Sequence, residues 1–201
     1  MTFVFDMGGV LIDLDPHACI RNFTALMDTS GGLNVSAADL LGNGGKTPLG
    51  QYELGLITTR QLLDYFHTLS RPEVTDEQLR AAWLSMTLTI PESRKALVRR
   101  LHRQGHTVFL LSNINEMHWD HIRPMFQQDG FSLDDYFDRL FLSNELHMVK
   151  PQEQVYDLVM SYVPQGDEVV YVDDLEHNRL PGSRRGWRTF ASVEQLAAAG
   201  Y

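Results

Sequence analysis

Along the chain, short and almost wholly apolar runs alternate with longer stretches in which apolar positions recur every three or four residues. Thr2-Phe3-Val4-Phe5 is the first run, and His106 to Leu111, Asp138 to Leu142, Glu168 to Val172 and Trp187 to Phe190 follow it. Runs this short, without polar alternation, fit strands buried on both faces. Between them, 91–104 reads as a helix ending at Gly105, Asn115 to about Phe126 as a helix broken by Pro124, and Pro151 to Tyr162 as another. Ser192-Val193-Glu194-Gln195 reads as a capping box before a short final helix. From Pro91 onward the rhythm predicts an α/β fold: a Rossmann-like, doubly wound parallel sheet with helices on both faces.

The stretch 16–88 breaks that rhythm. Asp15-Pro16 looks like an N-cap followed by proline at the first helical position. Thr58 and Thr59 can cap a helix carrying Leu62, Leu63, Phe66 and Leu69 on one side, and Thr75-Asp76-Glu77-Gln78 fits a capping box ahead of Leu79 and Trp83. Leu41 to Pro48 reads as a flexible loop by composition. The expected organisation is therefore a core from 1–15 and 89–201, with 16–88 inserted as a helical block.

A chain of 201 residues accommodates that plan as one domain with an insertion or as two small ones. The hydrophobic share of 43% suits a folded globular protein. A formal net charge of −9 argues against nucleic-acid binding, which needs clustered Lys and Arg, and Arg99-Arg100 with Arg103 reads as the solvated face of a helix. The acidic balance also disfavours an anionic ligand, so a phosphate site here needs a bound cation and local donors. Cys19 is the only cysteine, and Ile20 and Phe23 place it on an apolar helix face as an inert thiol. No apolar run approaches the ~20 residues of a membrane helix, and the first strand follows no basic leader, so a cytoplasmic location without membrane partners is expected. The pattern sets no oligomeric state.

Candidate chemistry lies where the apolar runs end. Asp6 closes the first run and leads into Met7-Gly8-Gly9-Val10. Open α/β sheets bind ligands at the carboxyl ends of their strands, and glycines there let backbone N–H groups approach an anion. An aspartate so placed can be a nucleophile, a metal ligand or both, although alone it more simply closes a turn. Ser112-Asn113, Lys150-Pro151 and Asp173-Asp174 follow in order. Taken singly, Ser112-Asn113 would cap the next helix, Lys150 would be a surface lysine and Asp173-Asp174 a solvated turn. Two adjacent carboxylates after a buried run, however, repel each other unless a cation intervenes.

In that order, FVFDMGGVLID, LLSN, Lys150-Pro151 and VDDLEHN resemble the four motifs of the haloacid dehalogenase superfamily, most of whose members are Mg²⁺-dependent phosphatases. The resemblance covers essentially the whole chain. It implies a helical cap at 16–88, Asp6 as nucleophile forming an aspartyl-phosphate, Lys150 pairing the phosphate and Asp6, and Ser112 and Asn113 donating to the phosphate. It also implies Mg²⁺ held by Asp6, the Gly8 carbonyl and Asp174, with Asp173 bound through water or standing behind. Asn178 matches a polar position that braces the acidic loop, or is simply a helix-surface residue.

One departure matters. Phosphatases of this superfamily usually carry an aspartate two residues after the nucleophile, as general acid for the leaving alcohol. Here that position is Gly8. Dehalogenases typically place a bulky aromatic there, which does not fit either. The branch resembled most is the bacterial sugar phosphatase group similar to α-D-glucose-1-phosphate phosphatase, whose members can share the D-x-G start. Gln51-Tyr52-Glu53-Leu54-Gly55-Leu56-Ile57 also resembles that group. The missing proton could come from water, from Glu53 or from Asp13, and Glu53 could equally bind a substrate hydroxyl or be a helix-end charge. His118 and His121 are spaced i, i+3 but lack a third zinc ligand. The expected function is Mg²⁺-dependent hydrolysis of a small phosphorylated metabolite, a sugar phosphate being one candidate. The alternatives are a catalytically weak or inactive module binding a phosphometabolite or a protein, which Gly8 keeps open, and a dehalogenase acting on carbon.

Overall fold

A computed structural model describes residues 1–28, 46–128 and 130–201. Five parallel strands, β1 (Thr2–Phe5), β2 (Thr107–Ser112), β3 (Arg139–Leu142), β4 (Val169–Val172) and β5 (Arg188–Phe190), form one sheet in the order β3-β2-β1-β4-β5. Central β1 is buried at every residue, as a strand covered on both faces must be. Successive side chains alternate between two apolar layers. Phe3, Phe5, Val108, Leu110, Val170 and Val172 face one core cluster, while Val4, Phe109, Leu111 and Tyr171 face another. The first cluster takes in Leu97, Val98 and Leu101 of α5 (Glu92–Arg103), Ile122 and Phe126 of α6 (Glu116–Phe126), and Val193 and Leu196 of α10 (Val193–Ala198). The second takes in Val155, Tyr156 and Val159 of α8 (Glu153–Met160), which the chain reaches after α7 (Ser143–Leu146) and leaves before α9 (Glu176–Arg184).

This order places a topological switch point beside β1. From β1 the chain winds outward through β2 and β3, then crosses back to β4 on the other side, so the loops after β1 and β4 part and leave a crevice. Phe5 pairs with Leu110 and with Val172, which sets Asp6 and Asp173 level at that edge.

The helical block comprises α1 (Pro16–Leu26), α2 (Pro48–Glu53), α3 (Thr59–Leu69) and α4 (Asp76–Leu84). Asp15, Thr47, Thr58 and Thr75 cap them, the last two through reciprocal capping boxes. Residues 41–45 of the expected flexible loop lie outside the described residues; its end, Thr47-Pro48, starts α2. The block has its own apolar cluster, including Phe23, Leu62, Leu63, Phe66, Leu79 and Trp83, and Met117 of α6 joins it from the sheet side. The two connections to the core run side by side: Asp13 N–H donates to Thr89 (3.1 Å), Leu88 N–H to Asp13 (3.0 Å) and Asp15 N–H to Met86 (2.8 Å). Among the described residues no helix is long and apolar enough to cross a membrane.

Several local expectations are corrected. Pro124 does not break α6: the helix runs on to Phe126, two residues past the proline, at the cost of one backbone N–H. Asn115, not Ser112 or Asn113, caps α6. The helix after Lys150 begins at Glu153 rather than Pro151; residues 149–152 form a turn closed by Gln152 N–H to the Val149 carbonyl (2.9 Å). Ser192 caps α10, but Gln195 returns its bond to Ala191 rather than to Ser192 (2.9 Å). Arg99 is not solvated: it is buried, donates to the Tyr136 hydroxyl (2.6 Å) and to Glu92, and lies over the Phe131 ring (4.1 Å).

His118 joins block to core. Its Nε2 donates to the Trp83 carbonyl (3.2 Å), its Nδ1 meets the Asn115 amide (3.0 Å), and its ring stacks on Trp83 with centroids 5.0 Å apart. This pairing needs the neutral ring. Burial pushes the pKa from 6.5 down to about 4, against the opposing pull of the Trp83 carbonyl. The unfolded chain therefore takes up a proton first on acidification. The stability that neutral His118 contributes is complete above pH 6.5 and is lost as the pH falls through 4. Between pH 7 and pH 5 this amounts to roughly 2 kcal/mol. Urea titrations should show a smaller pH 7-to-5 drop in stability for His118→Gln than for the native chain; equal drops would show that His118 does not titrate this way.

Candidate active site

A cavity of about 770 Å³ opens at the carboxyl edge of the sheet. Asp6, Gly8, Ser112, Asn113, Lys150 and Asp174 line it from the core, and Leu49, Glu53, Trp83 and Met86 from the helical block. The strand-end residues singled out in the sequence are thus brought together, and Glu53 joins them from across the cleft.

Lys150 is the centre of the arrangement. Its ammonium is buried and touches Asp6 Oδ1 (2.8 Å) and Asp173 Oδ2 (2.6 Å). Burial opposes its charge, but the two carboxylates outweigh burial and raise its pKa. The Asn113 side chain fixes the lysine's backbone, donating to its carbonyl (3.0 Å) and accepting from its N–H (2.8 Å). The donor expected of Asn113 is its backbone N–H; its side chain positions Lys150. Ser112 is buried at the cavity wall, and its hydroxyl bonds no other described residue.

Asp6 Oδ1 accepts from both Lys150 and Met7 N–H (2.7 Å), leaving Oδ2 without a donor among the described residues. Burial raises the Asp6 pKa to about 6, Lys150 opposes that rise and Asp173 adds to it. Asp173 is fully committed: besides Lys150 it accepts from the Tyr171 hydroxyl (2.6 Å), Leu175 N–H (2.9 Å) and the Asn178 amide (3.1 and 3.2 Å). Burial works against its charge, but Lys150 and these donors hold its carboxyl below the ordinary range. Asn178 is therefore a buried brace rather than a surface residue. Asp174 stands at the rim, raised by partial burial and by the neighbouring Asp173 charge against the pull of Lys150. Gly9, at φ +71°, is required beneath it, since a Cβ there would lie 2.7 Å from Asp174 Oδ2.

Asp6, Asp173 and Asp174 each offer an oxygen within 4.8 Å of the others. With Lys150 counted, the ionised cluster keeps a net charge of minus two. An uncompensated divalent negative charge in hard oxygen donors fits Mg²⁺ or a similar cation. The Gly8 carbonyl belongs to the same loop.

Asp13 is not part of the site; it pairs with Arg94 (2.8 Å) and does not line the cavity. Tyr171, Arg179 and Ser143 were not foreseen. Tyr171 could have been inferred, since it lies two residues before Asp173 and so on the same side of the strand. Arg179 donates to the carbonyls of Asp173 (2.6 Å) and Asp174 (2.9 Å), and no sequence signal marks it. Ser143 accepts from Ile114 N–H (2.9 Å) and donates to the Glu53 carbonyl (2.7 Å), joining β2, β3 and the helical block.

Comparison with known proteins agrees with this geometry. A family model described as haloacid dehalogenase-like hydrolase matches residues 1–184. A D-ribitol-5-phosphate phosphatase from Bacteroides thetaiotaomicron is 31% identical over 193 residues, spanning 93% of this chain and 89% of the relative. The crystal structure of a HAD family enzyme from the same organism, in complex with magnesium and inorganic phosphate, is 30% identical, with a TM-score of 0.80 over 94% of this chain and 92% of the other. A HAD-like family hydrolase structure from Porphyromonas gingivalis is similar in fold, with a TM-score of 0.81 at 24% identity over 98% of this chain and 96% of the other. With its acidic strand ends, buried lysine and a family match over most of its length, the chain belongs to the haloacid dehalogenase-like hydrolases.

Proposed function

We propose that this chain is a Mg²⁺-dependent phosphatase that hydrolyses a small phosphate monoester through an aspartyl-phosphate at Asp6. The observation that carries the reading is Asp6 itself: it lines the cavity, one carboxylate oxygen is held by Lys150 and Met7, and the other has no donor among the described residues. The relative active on D-ribitol 5-phosphate, and the magnesium- and phosphate-bound relative, support the same chemistry. The substrate class is a phosphorylated sugar or polyol. This is broader than the glucose 1-phosphate branch that the sequence resembles.

The roles follow from position. Asp6 attacks phosphorus, and the P–O bond to the leaving group breaks. Lys150 offsets charge on the phosphoryl oxygens and on Asp6 as a fixed point charge. The unpartnered Ser112 hydroxyl and the backbone of the Ser112-Asn113 loop donate to the same oxygens. Asp6, the Gly8 carbonyl and Asp174 would hold Mg²⁺, with Asp173 behind them. When bound, the ion supplies charge neutralisation for the transferring phosphoryl group. Residues 16–88 act as the cap and 1–15 with 89–201 as the core, a division supported by the paired connections at 13–15 and 86–89. Glu53 faces the substrate from the cap. Retention of Asp6, Lys150 and Asp174 in one cluster favours this reading over an inactive binding module.

Asp6→Asn should abolish turnover, by about 10³-fold or more, while leaving the fold intact. Mass spectrometry of the trapped native enzyme should place the phosphoryl group on Asp6. A mutant that keeps its rate would exclude the covalent route. Chelation should remove activity, and Mg²⁺ should restore it.

The two adjacent carboxylates should separate cleanly. Asp173→Ala strips a partner from a buried ammonium and should cost about 3–5 kcal/mol in urea unfolding. Asp174→Ala should leave stability nearly unchanged but weaken Mg²⁺ binding, read by calorimetry. The reverse order would mean that the two roles are exchanged.

A further inference from the structure

Gly8 leaves this site without the proton donor its family normally places there, and the cavity contains a replacement. Among the described residues, a Cβ at Gly8 would meet only the Leu14 side chain (3.0 and 3.9 Å), and no carboxyl group stands beside it. Among the described residues three carboxyl groups line the cavity: Asp6, Asp174 and Glu53. The first two belong to the nucleophile and cation positions. The Glu53 carboxyl makes no hydrogen bond or ion pair with another described residue; its one charged influence is Lys150. Of the lining histidines, His118 is tied to Trp83 and Asn115, and His177 is exposed at the mouth.

Glu53 is also held firmly by its backbone. It ends α2, and its carbonyl accepts from the Ser143 hydroxyl (2.7 Å). His147 Nδ1 donates to the next carbonyl, that of Leu54 (2.7 Å). Gly55, at φ +64°, packs so tightly on the core that a Cβ would lie 2.0 Å from the Asn144 carbonyl oxygen. On the other side, the Tyr52 hydroxyl accepts from Met117 N–H (2.9 Å). These contacts fix the backbone of residues 52–55 and leave the Glu53 side chain free to meet a ligand.

We propose that Glu53 is the general acid of this hydrolase, donating from the cap the proton that Gly8 cannot; the proposal rests on the phosphatase reading above. As the bond from Asp6 to phosphorus forms and the ester P–O bond breaks, the Glu53 proton passes to the leaving oxygen and a neutral alcohol departs. The Glu53 carboxylate then takes a proton from water as the water oxygen bonds to phosphorus. The Asp6–phosphorus bond breaks, giving free Asp6 carboxylate and inorganic phosphate. Such a group must be available in both forms near neutrality. Burial raises the Glu53 carboxyl to about 7, against the charge of Lys150, which meets that condition.

The test is a series of phosphate esters whose leaving groups carry no extra hydroxyl, from 4-nitrophenol to simple aliphatic alcohols. It compares the full native chain with Glu53→Gln at saturating Mg²⁺. For 4-nitrophenyl phosphate, whose leaving group needs no proton, kcat/KM, which reports transfer to Asp6, should change little, whereas kcat should fall because water attack loses its base. Alkyl phosphates should lose about 10²–10⁴-fold in kcat/KM, so the plot of log kcat/KM against leaving-group pKa steepens. Gly8→Asp should restore alkyl turnover in the Glu53→Gln background yet leave the slope of the native chain unchanged. An unchanged slope in Glu53→Gln would overturn the proposal, and a parallel assay with a polyol phosphate in which the variant only raises KM would assign Glu53 to substrate binding instead. A flattened slope in Gly8→Asp alone would also overturn it, because it would show that no acid was present. A native chain with no Mg²⁺-dependent turnover of 4-nitrophenyl phosphate would overturn the phosphatase reading as well, a result distinct from the others.

Discussion

The ammonium of Lys150, buried between Asp6 and Asp173, is the interaction on which the rest of the structure depends. Taking an ion out of water costs several kcal/mol, so an unpaired lysine could not stand at the centre of this fold. Two carboxylates from two adjacent strands make it tolerable. They also tie the ends of β1 and β4 to the loop after β3, across the point where the sheet changes direction. The same contacts fix the charge of the site. A lone lysine cannot neutralise three carboxylates, and the surplus negative charge sits where a divalent cation and a phosphate would meet.

Topology explains why these groups share one edge. Parallel strands point their carboxyl ends the same way, and the order β3-β2-β1-β4-β5 opens its crevice next to β1. The helical block then closes the crevice from above. Its contact with the core is specific rather than merely apolar: Ser143, His147 and Asn144 engage the backbone of residues 53–55. Any movement that uncovers the cavity at this point has to part those bonds and withdraw Gly55. Glu53 therefore enters the site with the cap backbone that carries it, whereas Asp6 and Lys150 stay with the sheet.

Much of this was legible in the sequence wherever the rule is local. Unbroken apolar runs marked the buried strands, because a strand covered on both faces has no polar alternation to show. Thr58 and Thr75 announced their helices through capping chemistry contained within four residues. Family-like motifs located Asp6, Lys150 and the Asp173-Asp174 pair. What could not be read depends on partners distant in sequence. Asn113 clamps Lys150 across 37 residues, and Ser143 reaches Glu53 across 90. Arg99 reads as a surface charge until Tyr136 and Phe131 fold over it. The start of α8 was misplaced for a similar reason: proline at the first helical position is a sound local signal, but here Pro151 belongs to the turn that presents Lys150.

The contrast between Gly8 and Glu53 gives the site its particular logic. A carboxyl on the β1 loop would stay beside the nucleophile whether or not a substrate or cap was present. A carboxyl carried on α2 completes the site only while residues 53–55 are docked on Ser143 and His147. Proton transfer then requires cap contact, and so does the exclusion of water that strengthens every charge in the cavity. Asp6 and Lys150 belong to the edge of the sheet, where they hold each other without any contact from the cap. Proton delivery is the step that depends on the cap, so the cap selects substrates through chemistry as well as through shape. Attack by water on the aspartyl-phosphate uses the same carboxyl in its other protonation state, so one cap residue governs both halves of the reaction. A leaving group that needs no proton escapes this control in the first half alone, whereas an alkyl phosphate is subject to it in both.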